Sequence, residues 1–110
     1  MDSNGIQKPV GLSDLGEKAY KIITDLLIER EMTYTGGCRS FYSPREWKER
    51  GEQYGLDSQL IIVYDGGDLR PCFCMNEGFY QSYSNMQAAL FKIGCYFEEC
   101  TGWYAAVYQI

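Results

Sequence analysis

The sequence predicts an α+β fold: order ααββαββ, an antiparallel sheet of about four strands packed with three helices. Three observations carry this. An apolar stripe with helical spacing comes first, a proline-started capping box marks a second helix, and apolar runs rich in β-branched and aromatic residues fill the middle and end. At 110 residues, 45% hydrophobic and 23% charged, the chain has the size and composition of one globular domain. Residues 1–12, "MDSNGIQKPVGL", lack an apolar period and read as a flexible segment ahead of a domain over 13–110.

The first helix is expected from about Asp14 to Met32, capped by Ser13 or Asp14, with Leu15, Ala19, Ile22, Ile23, Leu26 and Leu27 on one stripe. "TYTGGCRSFY" reads as a loop or short irregular strand. In "SPREWKERGEQYG", Ser43 is the cap, Pro44 takes the first helical position and Glu46 completes a capping box. Gly55 is the expected stop, and Trp47 and Tyr54, seven apart, are expected to share a buried face. "QLIIVYD" is apolar on both sides, as a central strand is. Gly66-Gly67 then predicts a two-residue hairpin loop that puts Tyr64 opposite Leu69 and Ile62 opposite Pro71. Pro71 lacks an N–H, so strand 69–75 is expected at the sheet edge. A third helix is read from Ser84, capped with Gln87, through Met86, Ala89, Leu90 and Ile93 to Gly94. The remainder, "CYFEECTGWYAAVYQI", reads as two strands turning near Thr101-Gly102.

Net charge is −5, from 15 acidic and 10 basic residues. After residue 58 only Arg70 and Lys92 are basic, against Asp65, Asp68, Glu77, Glu98 and Glu99. Nucleic-acid binding calls for clustered Lys and Arg, so direct contact with nucleic acid is not expected. No apolar run approaches a membrane span, and the first residues lack the basic and apolar regions of a secretory signal. The expected location is the cytoplasm, where five cysteines are mostly reduced.

The absence of histidine excludes Ser-His-Asp and Cys-His machinery and His-ligated metals. No catalytic residue, cofactor or metal is assigned. Asp65 and Asp68 read as turn chemistry rather than as a cation site, and Cys38 is the most exposed thiol expected. Cys72, Cys74, Cys95 and Cys100 form the alternative, a small zinc- or metal-binding protein or enzyme. Against it, Cys95 and Cys100 lie five apart and point to opposite faces of a strand.

Ten Tyr, five Phe and two Trp are the remaining anomaly. Both faces of the last strand are too apolar for solvent, so helices cover both or a partner chain covers one; this favours a homodimer. The blocks "FYSPREWKERGEQYG", "LIIVYDGGDLRP" and "YFEECTGWYAAVY" together resemble small accessory proteins carried by bacteriophages and other mobile elements, over about residues 34–110. That resemblance implies expression in a bacterial host cytoplasm and no residue roles. By analogy it suggests an anti-CRISPR or anti-restriction type of inhibitor. The expectation is a non-enzymatic protein-binding module whose acidic, Tyr-rich face docks on a basic host defence or nucleic-acid-handling protein. Its candidate residues are Tyr64, Asp65, Asp68, Glu98, Glu99, Tyr104 and Tyr108.

Overall fold

Ser13, Ser43 and a run of four buried aliphatics set out the architecture. A computed structural model describes residues 6–35, 39–64, 69–73, 80–101 and 103–110, apart from the side chains of 70, 71 and 80. The elements run α1 (Asp14–Glu29), β1 (Phe41–Tyr42), α2 (Pro44–Glu49), β2 (Leu60–Val63), α3 (Arg70–Phe73), α4 (Tyr80–Phe91), β3 (Cys95–Glu99) and β4 (Tyr104–Gln109). Among the described residues the sheet has four strands in the order β1-β2-β4-β3, each antiparallel to its neighbour. The α+β class, an antiparallel sheet packed with helices, is as the sequence predicts.

Helix α1 begins where Ser13 Oγ accepts the Gly16 N–H at 3.0 Å. It ends at Glu29, three residues before the expected Met32. Glu31 turns left-handed at φ 56, and two amides close back on the last turn: Glu31 N to Ile28 O and Met32 N to Leu27 O, at 3.1 and 2.8 Å. That is a Schellman stop built on glutamate, which the sequence does not announce because glycine is the usual residue there. Helix α2 has the expected capping box between Ser43 and Glu46. Its stop is Gly51, at φ 100, rather than Gly55. Trp47 is fully buried, whereas Tyr54 lies beyond the helix and is 74% exposed, so the two do not share a helix face.

The expected hairpin is the main correction. Strand β2 is central, as read, but its partners are β1, through Phe41–Ile62 and Tyr42–Ile61, and β4, through Leu60–Val107 and Ile61–Ala106. Residues 70–73 are a helical turn rather than a returning edge strand. Leu69, Cys72 and Phe73 are all buried in the main core. Their spacing of three and four is the helical period, and Pro71 sits in the first turn, where no N–H is needed. Asp65, Asp68 and the loop glycines lie outside the described residues.

Helix α4 starts at Tyr80, a turn before the expected cap at Ser84. Gln87 spends its amide elsewhere. Its Oε1 accepts the Phe97 N–H at 2.8 Å and its Nε2 donates to the Phe97 carbonyl at 3.1 Å. Phe97 lies opposite Val107 in the β3–β4 ladder, and these two backbone groups face away from β4. The side chain thus imitates one residue of a further strand.

The sheet divides two cores. Leu60, Ile62, Ala105, Val107, Cys95 and Phe97 face α1 and α4, with Ile23, Leu27, Met86 and Leu90 between the layers. On the other face Ile61, Val63, Tyr104 and Ala106 pack around Trp47 of α2. Helices therefore cover the first face, and Trp47 covers β2 and the adjoining part of β4 on the second. The segment 6–12 is not loose against this body. Pro9 is buried, Ile6 and Leu12 pack on the main core, and Val10 O accepts the Ser43 hydroxyl at 2.6 Å. Ile6, Pro9 and Leu12 recur every third residue, a spacing that neither the helix nor the strand template detects.

Candidate functional site

At the β3–β4 end of the second face, beside Trp47, the sheet opens into a cleft of about 410 Å³. It is lined by Tyr54, Gly55, Glu98, Cys100, Thr101, Tyr104 and Tyr108. The hairpin register builds one wall. Tyr96 lies opposite Tyr108 and Glu98 opposite Ala106, so these side chains rise on the Trp47 side of the sheet. Tyr96 and Tyr108 stack at 5.7 Å. Gly55 forms the floor beside Ala106 in a left-handed conformation, φ 81, that keeps side-chain bulk out. The other wall is Tyr54, whose carbonyl accepts the Trp47 indole N–H at 3.0 Å.

Two phenols and the thiol of the cleft, Tyr104, Tyr108 and Cys100, are held in their neutral forms. Tyr108 is pushed well above the usual phenol range, first by burial and then by Cys100, Asp57 and Glu98. Burial also raises Tyr104, helped by Cys100 and Glu52. The Cys100 thiol is raised by burial and by Glu98, against a hydrogen bond from Tyr108. Its Sγ donates to the Glu98 carbonyl at 3.6 Å. A thiol so placed stays protonated at neutral pH and is a poor nucleophile. The surrounding charge comes from Glu98, Asp57 and Glu52, and among the described residues no basic side chain lines the cleft. Neutral phenol oxygens that can accept, ring faces and a negative field suit a bound cation better than acid–base or nucleophilic chemistry.

Three of the sequence candidates therefore meet: Glu98, Tyr104 and Tyr108. Glu99 lies opposite Ala105 and so projects to the other face of the sheet. Tyr64 is fully buried, its ring stacked on Phe73 at 6.2 Å, and cannot contact a partner. It serves the cleft indirectly. Its hydroxyl donates to Thr101 O at 2.8 Å, close to Tyr104 O at 3.1 Å, and its backbone N–H reaches Trp103 O at 2.9 Å, fixing the β3–β4 turn. Asp65 and Asp68 lie outside the described residues. Sequence reading missed Tyr54 and Thr101, and saw Cys100 only as a zinc candidate. Tyr54 was hidden because the helix stops at Gly51, which frees residues 52–57 to fold over β4.

The four-cysteine zinc alternative is not supported. Cys72 and Cys95 are buried in the main core while Cys100 packs on the opposite side of the sheet, so the backbone of the sheet stands between them. Among the described residues no three His, Cys, Asp or Glu side chains converge as a metal site would require; Cys74 and Cys38 lie outside them. Burial raises the Cys72 and Cys95 thiols as well, which marks them as packing residues. Among the described residues no helix is long and apolar enough to cross a membrane. No family model, curated protein or solved structure matches the chain.

Proposed function

We propose that this chain is a non-enzymatic binding module that docks the acidic, tyrosine-lined end of its second sheet face on a basic surface of a partner protein. The observation that carries the reading is the convergence of Glu98, Tyr104 and Tyr108 on one open cleft that no basic side chain lines among the described residues. Tyrosine buries much area at small entropic cost while keeping a polar tip, and acidic charge speeds encounter with a basic partner. The phage-like sequence blocks supply the context: a bacterial cytoplasm and a host defence or nucleic-acid-handling protein as the partner.

The test is fluorescence anisotropy with short labelled peptides rich in Lys and Arg, against acidic peptides of matched length. Basic peptides should bind, and affinity should fall as salt rises from about 50 to 300 mM, since exposed charges are screened within about 10 Å at 0.1 M. Glu98→Gln with Tyr108→Leu should weaken binding while leaving the circular dichroism spectrum unchanged. Equal binding of acidic and basic peptides, or no effect of either substitution, refutes the reading.

A further inference from the structure

The second sheet face already holds two cations of its own. The Arg39 guanidinium carbon lies 4.4 Å from the centre of the Tyr42 ring. Arg50 lies 4.9 Å from Trp47, 5.4 Å from Tyr42 and 5.9 Å from Trp103, and its Nε meets the Glu52 carboxylate at 3.1 Å. Each arginine is thus served by ring faces together with a carboxylate; for Arg39 the carboxylate is Glu46, at 2.6 Å. Among the described residues no lysine is held this way. The cleft at the other end of the same face offers the same materials with no arginine among its described lining residues: Tyr54, Tyr104 and Tyr108 for the rings, Glu98 for the carboxylate.

We propose that the cleft receives the guanidinium group of one arginine side chain projecting from a partner polypeptide. This rests on the docking reading above and sharpens it from basic surface to arginine. The planar, weakly hydrated guanidinium gives up less on leaving water than an ammonium does, and it stacks on aromatic faces while its N–H groups reach a carboxylate. The raised phenols stay neutral, so their oxygens accept from it without releasing a proton. At about 410 Å³ the cleft has room for the side chain and the neighbouring peptide backbone.

The experiment titrates N-acetyl-arginine methylamide into the full chain, with the lysine and citrulline counterparts in parallel arms at one ionic strength. Binding is followed by the NMR shifts of the Tyr104 and Tyr108 rings. The arginine compound should bind about threefold or more tightly than the lysine one and about tenfold more tightly than citrulline, which keeps the shape and loses the charge. Tyr54→Ala should weaken arginine about threefold. That ring is 74% exposed, so its removal does not threaten the fold. Glu98→Gln should weaken arginine by a similar factor and leave citrulline unchanged. Citrulline binding as well as arginine, or indifference to both substitutions, overturns the proposal. Equal binding of arginine and lysine overturns the arginine assignment alone and leaves the acidic docking face standing. Failure of every basic peptide and compound overturns both.

Discussion

Replacing Gln87 tests whether a side chain closes the open edge of the sheet. Among the described residues β3 pairs only with β4, and the outward N–H and C=O of Phe97 are satisfied by the Gln87 amide at 2.8 and 3.1 Å. Phe97 is 2% exposed, so water reaches this point poorly. Gln87→Leu keeps the bulk and removes both partners. Leaving a donor and an acceptor unpaired costs about 1–3 kcal/mol each, and the two share one site, so we expect about 2–4 kcal/mol in all. Gln87→Ala opens room for a water and should cost less, about 1–2 kcal/mol. Urea unfolding gives the measurement: the midpoint should fall at constant slope, with leucine worse than alanine. The Phe97 amide should exchange faster in both variants. Light scattering at raised concentration should detect association of the leucine variant, because an exposed edge templates strand pairing. A leucine variant as stable as wild type, with Phe97 exchange unchanged, would sink the argument.

Three further outcomes follow from particular contacts. Gly16→Ala should destabilise by about 2 kcal/mol, although alanine is the better helix former by about 1 kcal/mol; a Cβ there would stand 2.5 Å from Gln59 O, and a neutral or stabilising result in thermal unfolding would show that the contact relaxes freely. Burial pushes Glu46 up, but hydrogen bonds from Arg39, Ser43 and Val10 outweigh it and hold the carboxyl below its ordinary range. A depressed acid stabilises above its unfolded pKa and loses that contribution as pH falls through the folded one, so Glu46→Gln should cost about 1 kcal/mol at pH 7 and progressively less as the pH is lowered into the acid range; a cost that does not fall with pH in urea titrations would contradict this. With Cys38 and Cys74 changed to serine, Cys100 should alkylate slowly at pH 8, and Glu98→Gln should speed it about two- to fivefold by removing a charge that holds the thiol up. An unchanged rate would separate Glu98 from the thiol.

Local signals with a single solution were legible in the sequence. The stripe of α1, the Ser43-Pro44-Glu46 start of α2 and the two-sided apolar run of β2 each satisfy one template and no other. Residues 69–73 satisfy two. Leu69, Cys72 and Phe73 fit a helical turn, Pro71 fits either its first turn or an edge strand, and the Gly-Gly ahead of them favours a hairpin. What decides is tertiary: Phe73 packs edge-on to Phe97 at 5.0 Å and stacks on Tyr64, a burial no isolated edge strand offers. The start of α4 was obscured similarly, because Ser84 and Gln87 have capping spacing while Gln87 is committed to a strand ten residues on. Of the site, the acidic, tyrosine-rich end of the sequence gave Glu98, Tyr104 and Tyr108, together with Glu99, which the register turns to the other face. Tyr54 and the indirect part played by Tyr64 depend on how loops fold over the sheet, which periodicity does not encode.

On the proposed docking reading, Tyr64 makes recognition answerable to the interior. Its ring is a brick in the core below α3, and its hydroxyl grips the corner on which the rim of the cleft is mounted. A cavity opened beneath it, at Phe73 for instance, would slacken that corner from inside, so a lesion hidden from every visitor would still blunt the grasp of the surface.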